Sequence, residues 1–237
     1  MAEDNTTSSR SAQQPRFPNE SPEYRSARDK LREAEIALRR QIEATAQLRR
    51  ALPPGGEVRQ DYVFHEGEDA HPVRLSELFA GNSAVIAYSF MFGPEDDHPC
   101  PNCTSILDAL DGEAKHVNQR ASLVVIAKSP IDRIRAFAKQ RGWRGLRLLS
   151  SAKNSYNPDY HGESAEGKQF ATLNVFARKG DVVRHTYGTE MQWAPMEPGQ
   201  DPRHVDSIWP MWSLFDFTPG GRGEDHPKLQ YPDCLTS

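Results

Sequence analysis

The sequence predicts an α/β fold with a central mixed sheet and a long N-terminal helical extension. Two apolar runs, 84–92 and 122–127, have the length and composition of strands that are buried on both faces. A helical pattern follows each run, and the order strand–helix–strand–helix–strand predicts parallel strands joined by crossover helices. A later pair of strand-like segments flanks Lys179-Gly180-Asp181, which predicts an antiparallel hairpin and makes the sheet mixed.

The N-terminal region divides into an arm and a helix. Residues 1–20 are polar and carry no periodic apolar pattern, so we expect a disordered arm. Ser21 and Pro22 are typical of the N-cap and the first position of a helix. Pro53-Pro54-Gly55-Gly56 then ends the segment, so 21–56 is predicted to be a helix with its linker. The helix carries a thin apolar stripe, made of Tyr24, Ala27, Leu31, Ala34, Leu38 and Leu48.

Residues 57–226 are predicted to form the compact domain, and 227–237 a tail. The domain begins with a short strand at 62–64, and a strand edge that leads into a helical turn follows at 73–79. These segments precede the first of the two long apolar runs.

The second half of the domain shows further element boundaries. Pro130 opens a helix that Gly142 ends, and 146–149 has the pattern of a third short strand. Beyond Gly188 only 202–215 has a helical pattern, and Pro210 is expected to interrupt it.

Composition excludes several classes of function. The 237 residues carry a net charge of -4, so a general affinity for nucleic acids or membrane surfaces is not expected. No run approaches the roughly 18 apolar residues of a membrane-spanning helix. The start, MAEDNTTSSR, lacks the basic and apolar regions of a signal peptide. We therefore expect a cytoplasmic protein, where three cysteines do not build a disulfide framework.

Two of the cysteines, Cys100 and Cys103, stand two residues apart in the segment HPCPNC. Cys100 follows a buried strand and Cys103 begins the next helix, and catalytic groups gather at the carboxyl ends of parallel strands. Free N–H groups at a helix N-terminus stabilise a thiolate, which lowers the pKa of the more exposed thiol. Cys100 is therefore the candidate nucleophile, and Cys103 the thiol that resolves the mixed disulfide.

The neighbours of the pair are the candidate lining of the site. A protonated histidine next to the pair would stabilise the thiolate, whereas Asp96 and Asp97 would oppose it. The lining candidates in this segment are His98, Pro99, Pro101 and Asn102.

Two other interpretations of the pair stay open. In the first, Cys100, Cys103 and His98 bind a metal ion, as in a metallochaperone, although structural zinc sites usually have four ligands. In the second, the pair is incidental and the chain is a non-catalytic interaction protein.

Several long motifs carry a resemblance to a known family. They include YVFHEGEDAHPVRLSELFAGNSAVIAYSFMFGPEDDHPCPNC, VVIAKSPIDRIRAFAKQRGW, SSAKNSYNPDY and FDFTPGGRGED. From about residue 27 to 226 the chain resembles the bacterial family called domain of unknown function 899, whose members are described as predicted dithiol-disulfide oxidoreductases. The resemblance implies a thioredoxin-like fold with an N-terminal helical extension, and no known substrate.

The chain departs from thioredoxins beside the dithiol. Thioredoxin-like enzymes commonly place a cis-proline before the strand that faces the dithiol. In the matching stretch, GKQFATLNVF, Ala171 takes that position and Thr172 follows, and both are candidates for lining the site. Pro101-Asn102 stands where thioredoxins have Gly-Pro.

The strand before the pair departs as well. Tyr88 is the only ionisable group in the run from Ala84 to Phe92, where thioredoxins keep a buried acidic residue. Asp97 occupies the position at which peroxiredoxins place Thr, which disfavours a peroxidase role.

Other residues are expected to be structural or to lie near the site. Trp143, Trp209 and Trp212 are predicted to be packed aromatic side chains. His185 shares a strand face with Tyr187 and is predicted to be a satisfied structural histidine. Cys234 is predicted to be a free tail thiol. The loop after the third strand is a candidate to line the cysteine end of the sheet through Tyr156, Asp159, Tyr160 and His161.

The sequence therefore predicts a cytoplasmic thiol–disulfide oxidoreductase. Cys100 and Cys103 would exchange with a disulfide of a protein or a small molecule, and a thiol reductant would restore the dithiol. No cofactor, nucleic acid or membrane is expected to take part. A homo-oligomer formed through the N-terminal helix is a further expectation.

Overall fold

A computed structural model describes residues 15–195, 207–224 and 226–230. The chain divides into two compact units, Met1–Leu52 and Pro53–Ser237. Most of the predicted arm and Cys234 lie outside the described residues. Within the described part, no helix combines the length and the apolar character that crossing a bilayer requires.

The first unit contains α1, Pro22–Arg50, which begins where the sequence predicts. The Ser21 side chain accepts a hydrogen bond from the Tyr24 N–H at 3.1 Å, and Pro22 occupies the first turn. No residue of α1 is buried, so its apolar stripe is exposed to solvent.

The second unit contains a seven-stranded mixed sheet in the order β2-β1-β5-β4-β3-β6-β7. Strands β3, β4 and β5 pair in parallel, and the other pairs are antiparallel. The strands are β1 Val63–Glu66, β2 His71–Arg74, β3 Ala84–Ser89, β4 Ser122–Ala127, β5 Arg147–Ser150, β6 Thr172–Lys179 and β7 Val182–Gly188. The helices of this unit are α2 Pro101–Val117, α3 Ile131–Arg141, α4 Tyr156–Asp159 and α5 Pro210–Asp216, with 3-10 turns at Leu75–Glu77 and Glu190–Trp193.

This arrangement confirms the predicted fold class. A β3–α2–β4–α3–β5 unit is followed by the β6–β7 hairpin, which gives a thioredoxin-like α/β fold with an N-terminal helical extension. Gly142 ends α3 in the left-handed conformation that glycine adopts without strain.

Two apolar clusters lie on opposite faces of the sheet because successive side chains of a strand alternate in direction. Strand β4 is buried at every position and contributes to both clusters. One cluster contains Val124, Ile126 and Phe176, and the other contains Val125, Ala127 and Cys103. The dithiol therefore belongs to one face of the sheet only.

Several element boundaries differ from the sequence prediction: β1 and β5 each begin one residue later than predicted, and β3 ends at Ser89 and not at residue 92. Pro210 does not interrupt a helix: it begins α5, since a proline suits the first turn, where its missing N–H is not needed. The sequence pattern predicts a strand from Phe170, but β6 begins at Thr172, because the Phe170 N–H donates to the Gly162 carbonyl of the preceding loop.

Candidate active site

Cys100 stands at the junction between strand β3 and helix α2. It is the N-cap residue of α2, and Pro101 fills the first helical position. The Cys100 N–H donates to the Met91 carbonyl at 3.0 Å, and its own carbonyl accepts from both the N–H and the hydroxyl of Thr104. The backbone of the nucleophile candidate is therefore fixed on both sides.

The loop before the pair is fastened to helix α3. The Arg133 guanidinium donates to the carbonyls of Pro94 and Asp96, at 2.5 Å each. The Asp96 carboxylate accepts from the Gly93 N–H at 2.6 Å. Asp96 thus holds the loop, and the groups that set the pKa of Cys100 lie in α2.

The two thiols are reduced and differ in environment. Cys100 is partly exposed, whereas Cys103 is buried. The Cys103 thiol and the backbone N–H groups of Cys103 and Asn102 favour the Cys100 thiolate, which lowers the pKa of Cys100 to about 6. The adjacent Cys100 thiolate and burial raise the pKa of Cys103 well above its ordinary value. One thiol is therefore ionised at neutral pH, and the other keeps its proton.

Tyr88 lies next to the Cys103 thiol. Its side chain is 2% exposed and belongs to the same apolar cluster as Cys103. Its hydroxyl has no regular hydrogen-bond partner among the described residues, but it acts on Cys103 by lowering the pKa of that thiol. Burial raises the pKa of Tyr88 itself well above 10.0, so the phenol is a donor and not a base.

The residues next to the cysteines differ in exposure. His98 and Pro101 are exposed, Pro99 is buried and Asn102 is partly exposed. Within the described residues, no group of three or more His, Cys, Asp or Glu side chains is arranged to hold a metal ion. His98 therefore does not complete a three-ligand set with the two cysteines.

Ala171 and Thr172 lie on opposite faces of the sheet. Ala171 packs against the apolar cluster that contains both cysteines. Thr172 is buried on the other side, where its hydroxyl donates to the Ser89 hydroxyl at 3.0 Å. Among the described residues there is no cis peptide bond, in agreement with the absence of proline at Ala171.

Helix α5 and the segment before it cover part of α2. Trp209 and Trp212 are buried in the cluster of Cys103, which confirms that they are packed aromatic side chains. The Trp209 indole donates to the Ser105 hydroxyl at 3.0 Å, two residues beyond Cys103. Trp143 also packs against this cluster and donates to Asp108 at 2.8 Å.

The loop after β5, which the sequence makes a candidate to line the dithiol, instead lines a cavity elsewhere in the domain. Asp159, Tyr160 and His161 line it together with Thr172 and with His185, whose Nε2 lies 2.8 Å from the Asn174 side-chain oxygen. These side chains belong to the face of the sheet that carries Phe176, not to the face that carries the dithiol. Tyr156 is fully buried in the core of that face.

Sequence reasoning missed five contributors to this cavity, namely Asn174, Gly188, Thr189, Glu190 and Trp193. Asn174 lies in the stretch GKQFATLNVF, of which only Ala171 and Thr172 are candidates, and the other four stand at the end of β7 and in the turn that follows it. Trp193, a large aromatic residue in a segment otherwise rich in Pro and Gly, was the available signal.

A family model described as "Bacterial protein of unknown function (DUF899)" matches residues 14–234. The chain belongs to this family. The DUF899 match covers both the dithiol and the N-terminal helix, as the motifs of the sequence predict. No curated protein matches the chain.

Solved structures similar to this DUF899 chain include a hypothetical protein, a PrxQ and a 2-Cys peroxiredoxin. A hypothetical protein from Sinorhizobium meliloti is 18% identical, with a TM-score of 0.43 over 72% of this chain and 87% of that chain. A PrxQ cysteine mutant from Xylella fastidiosa is 12% identical, with a TM-score of 0.45 over 69% and 96%. A reduced 2-Cys peroxiredoxin from Plasmodium vivax is 16% identical, with a TM-score of 0.42 over 65% and 93%.

Proposed function

We propose that this protein is a thiol–disulfide oxidoreductase that works through Cys100 and Cys103. The observation that supports the proposal most is the division of the pair into an ionised, partly exposed thiol and a buried, protonated one. Such a division suits a nucleophile and a resolving thiol. The setting at the start of a helix supplies the N–H groups that a thiolate requires.

The reaction consists of two exchange steps. The Cys100 thiolate attacks one sulfur of a substrate disulfide, which forms a mixed disulfide and releases the first substrate thiolate. Cys103 then loses its proton to solvent and attacks the Cys100 sulfur, which releases the second substrate thiolate. The substrate gains two electrons, its two released thiolates take up protons from solvent, and the protein is left with a Cys100–Cys103 disulfide. A thiol reductant returns it to the dithiol.

Tyr88 is the protein group placed to assist the second step. When Cys100 is bound in a mixed disulfide, it is no longer a thiolate that accepts a hydrogen bond from the Cys103 thiol. The O–H group of the buried Tyr88 can donate a hydrogen bond, and it stabilises the negative charge that develops on Cys103. Because the phenol keeps its own proton, it acts on charge and does not remove the Cys103 proton.

The substrate proposed is a disulfide in a protein or a small molecule, met in the cytoplasm. The test is a redox titration of Cys234→Ser protein in glutathione buffers, with the disulfide measured by intact mass. We expect a reversible two-electron transition between about -120 and -270 mV, the range of known exchange enzymes. A chain that forms no intramolecular disulfide in any buffer would exclude the mechanism.

Two controls separate the other interpretations. If the dithiol is incidental, a Cys100→Ser, Cys103→Ser double variant will retain the function of the protein in the cell. If the pair binds metal, protein purified under reducing conditions will contain stoichiometric zinc, which the double variant will lose.

A further inference from the structure

A cavity of about 480 Å³ opens on the face of the sheet opposite the dithiol. Small-molecule sites fall between roughly 300 and 1,000 Å³, so the cavity has the size of a ligand site. Its wall comes from the loop after α4, from β6 and β7, and from the turn that follows β7. Its lining residues are Asp159, Tyr160, His161, Thr172, Asn174, His185, Gly188, Thr189, Glu190 and Trp193.

The floor of the cavity is held in place before any ligand binds. The buried Asn174 amide donates to the Tyr160 carbonyl at 3.2 Å and to the Thr172 hydroxyl at 3.1 Å. Its oxygen then accepts from His185 Nε2 at 2.8 Å, because its nitrogen is already used as a donor. A Cβ at Gly188 would stand only 3.2 Å from this oxygen, so glycine keeps the space open.

Two carboxylates and two imidazoles, those of His161 and His185, line the cavity. Asp159 and Glu190 line it, and among the described residues no lysine or arginine does. Hydroxyls of Tyr62 and Ser155 donate to the Asp159 carboxylate at 2.8 and 2.7 Å, which fixes its position. Burial lowers the pKa of His185, which keeps that ring neutral at neutral pH.

Aromatic rings supply the remaining walls. Trp193 is 50% exposed and meets the ring of His161 edge to face, with 5.6 Å between the ring centroids. His161 has a φ of 58°, in the left-handed region that residues with a side chain rarely adopt. Histidine adopts this conformation more often than most residues with a side chain, and the His161 ring lies against Trp193 in it.

We propose that this cavity binds a small organic cation, with the positive group held between Trp193 and the carboxylates of Asp159 and Glu190. Aromatic faces attract cations through their quadrupole, and an indole does so most strongly. The rigid floor would orient the uncharged part of the ligand by hydrogen bonds. This inference concerns a second site and does not depend on the proposed thiol chemistry.

The test uses choline as a probe and 3,3-dimethylbutan-1-ol as its uncharged isostere. Both are titrated into the full-length protein by calorimetry at low ionic strength, where charge interactions are least screened. We expect saturable choline binding that is about tenfold tighter than binding of the isostere. Equal binding of the two probes, or no saturable binding of choline, would overturn the proposal.

Variants locate the site. Glu190→Gln keeps the shape and removes one charge, and Trp193→Ala removes the ring; both positions are exposed, so folding is expected to be retained. Each is expected to weaken choline binding about fivefold or more, whereas Glu166→Gln, at an exposed position away from the cavity, leaves it unchanged. Choline binding that is unaffected in both cavity variants would contradict the assignment.

Discussion

At the scale of single residues, Cys100 and Cys103 are the same residue type, and their thiols differ in pKa because of their positions in the fold. Cys100 is at the end of the helix where free N–H groups point outward, and Cys103 is one turn further in and buried. Each thiol influences the other, since the hydrogen bond between them lowers the pKa of Cys100 and raises the pKa of Cys103, which keeps its own proton. In the proposed mechanism Cys100 is therefore already ionised for the first step, and Cys103 is the thiol whose developing negative charge must be stabilised in the second step.

Replacement of Tyr88 by Phe tests whether the Tyr88 hydroxyl stabilises the negative charge that develops on Cys103. The change removes one buried hydroxyl and keeps the ring, so the packing around Cys103 is retained. Loss of a hydrogen bond to a charged group costs about 1.5–3 kcal/mol. We therefore expect release of the second thiolate to slow by about ten- to a hundredfold, and the first step to keep its rate. The reagent is 5,5′-dithiobis(2-nitrobenzoate), whose two thiolate releases are followed separately by absorbance in Cys234→Ser protein.

The matched control for this variant is Tyr156→Phe. Tyr156 is also fully buried with a hydroxyl that has no regular partner among the described residues, but it packs on the other face of the sheet. It should leave both release steps unchanged. If Tyr88→Phe also leaves the second release unchanged, Tyr88 has no part in resolution.

The sequence could predict that the cysteine pair stands at the start of a helix with Cys100 as the more exposed thiol, but not the contact with Tyr88. The C-x-x-C spacing and the helix start were visible in HPCPNC, and Tyr88 was visible as the ionisable group of its strand. That the phenol meets Cys103 depends on how α2 packs across β3, which is a tertiary property. The cavity was beyond prediction for the same reason, because its lining residues come from four separate segments.

At the scale of elements, Asp111 fastens helix α2 to the chain that enters β5. One oxygen of its carboxylate accepts from the N–H groups of Arg144, Gly145 and Leu146, at 2.9, 2.8 and 3.1 Å. Asp111→Ala leaves three donors without this acceptor, and we expect the free energy of unfolding to fall by about 2–3 kcal/mol. Urea unfolding measures the change, with Glu113→Ala, at an exposed position on the same helix, as the control. Equal stability of the two variants would show that water replaces the carboxylate without cost.

Helix α1 has an apolar stripe with no described cover in its own unit. Tyr24, Leu31 and Leu38 follow one another at seven-residue intervals and are 49–60% exposed. A seven-residue apolar repeat is typical of helices that pair with another helix. We propose that the partner is α1 of a second copy, which matches the repeat by symmetry.

Light scattering of the full-length protein tests this pairing. We expect a dimer that the double variant Leu31→Glu, Leu38→Glu converts to a monomer, because charges on the stripe oppose burial. Ser26→Glu with Ala37→Glu places the same charges on the opposite side of α1, at exposed positions, and should preserve the dimer. A monomeric wild-type protein would contradict the proposal.

Element prediction succeeded where local patterns decide and failed where pairing decides. The buried run Ser122–Ala127 is strand β4 at both ends, and α3 ends at the glycine that the pattern marked. The pairing of β1 with β5, which brings residues 65 and 150 together, has no local signal. Pro210 was misjudged because a proline that breaks a helix and a proline that begins one differ only in what precedes them.

At the scale of the whole molecule, folding and redox state are coupled through Cys100. In the reduced native protein its pKa is lowered to about 6, whereas a thiol in the unfolded chain has a pKa of about 8.5. Between these two values the unfolded chain binds more protons than the native chain, so the free energy of unfolding of the reduced protein rises with pH. Above about 8.5 both thiols of the unfolded chain lose their protons, whereas native Cys103 keeps its proton because its pKa is raised, so the free energy of unfolding falls with pH. The disulfide form has neither thiol and lacks both contributions.

The difference in stability between the reduced and the disulfide form should therefore increase from about pH 6 to about pH 8.5 and then decrease, so that it passes through a maximum near pH 8.5. Taking this difference cancels every other titrating group, since those groups are present in both forms. Urea unfolding of Cys234→Ser protein with a reductant and after oxidation gives the two free energies at each pH. The constraint that the disulfide places on the unfolded chain adds an offset that does not depend on pH. A flat difference over this range would mean that the native fold does not stabilise the Cys100 thiolate, and the nucleophile would then need another source of activation.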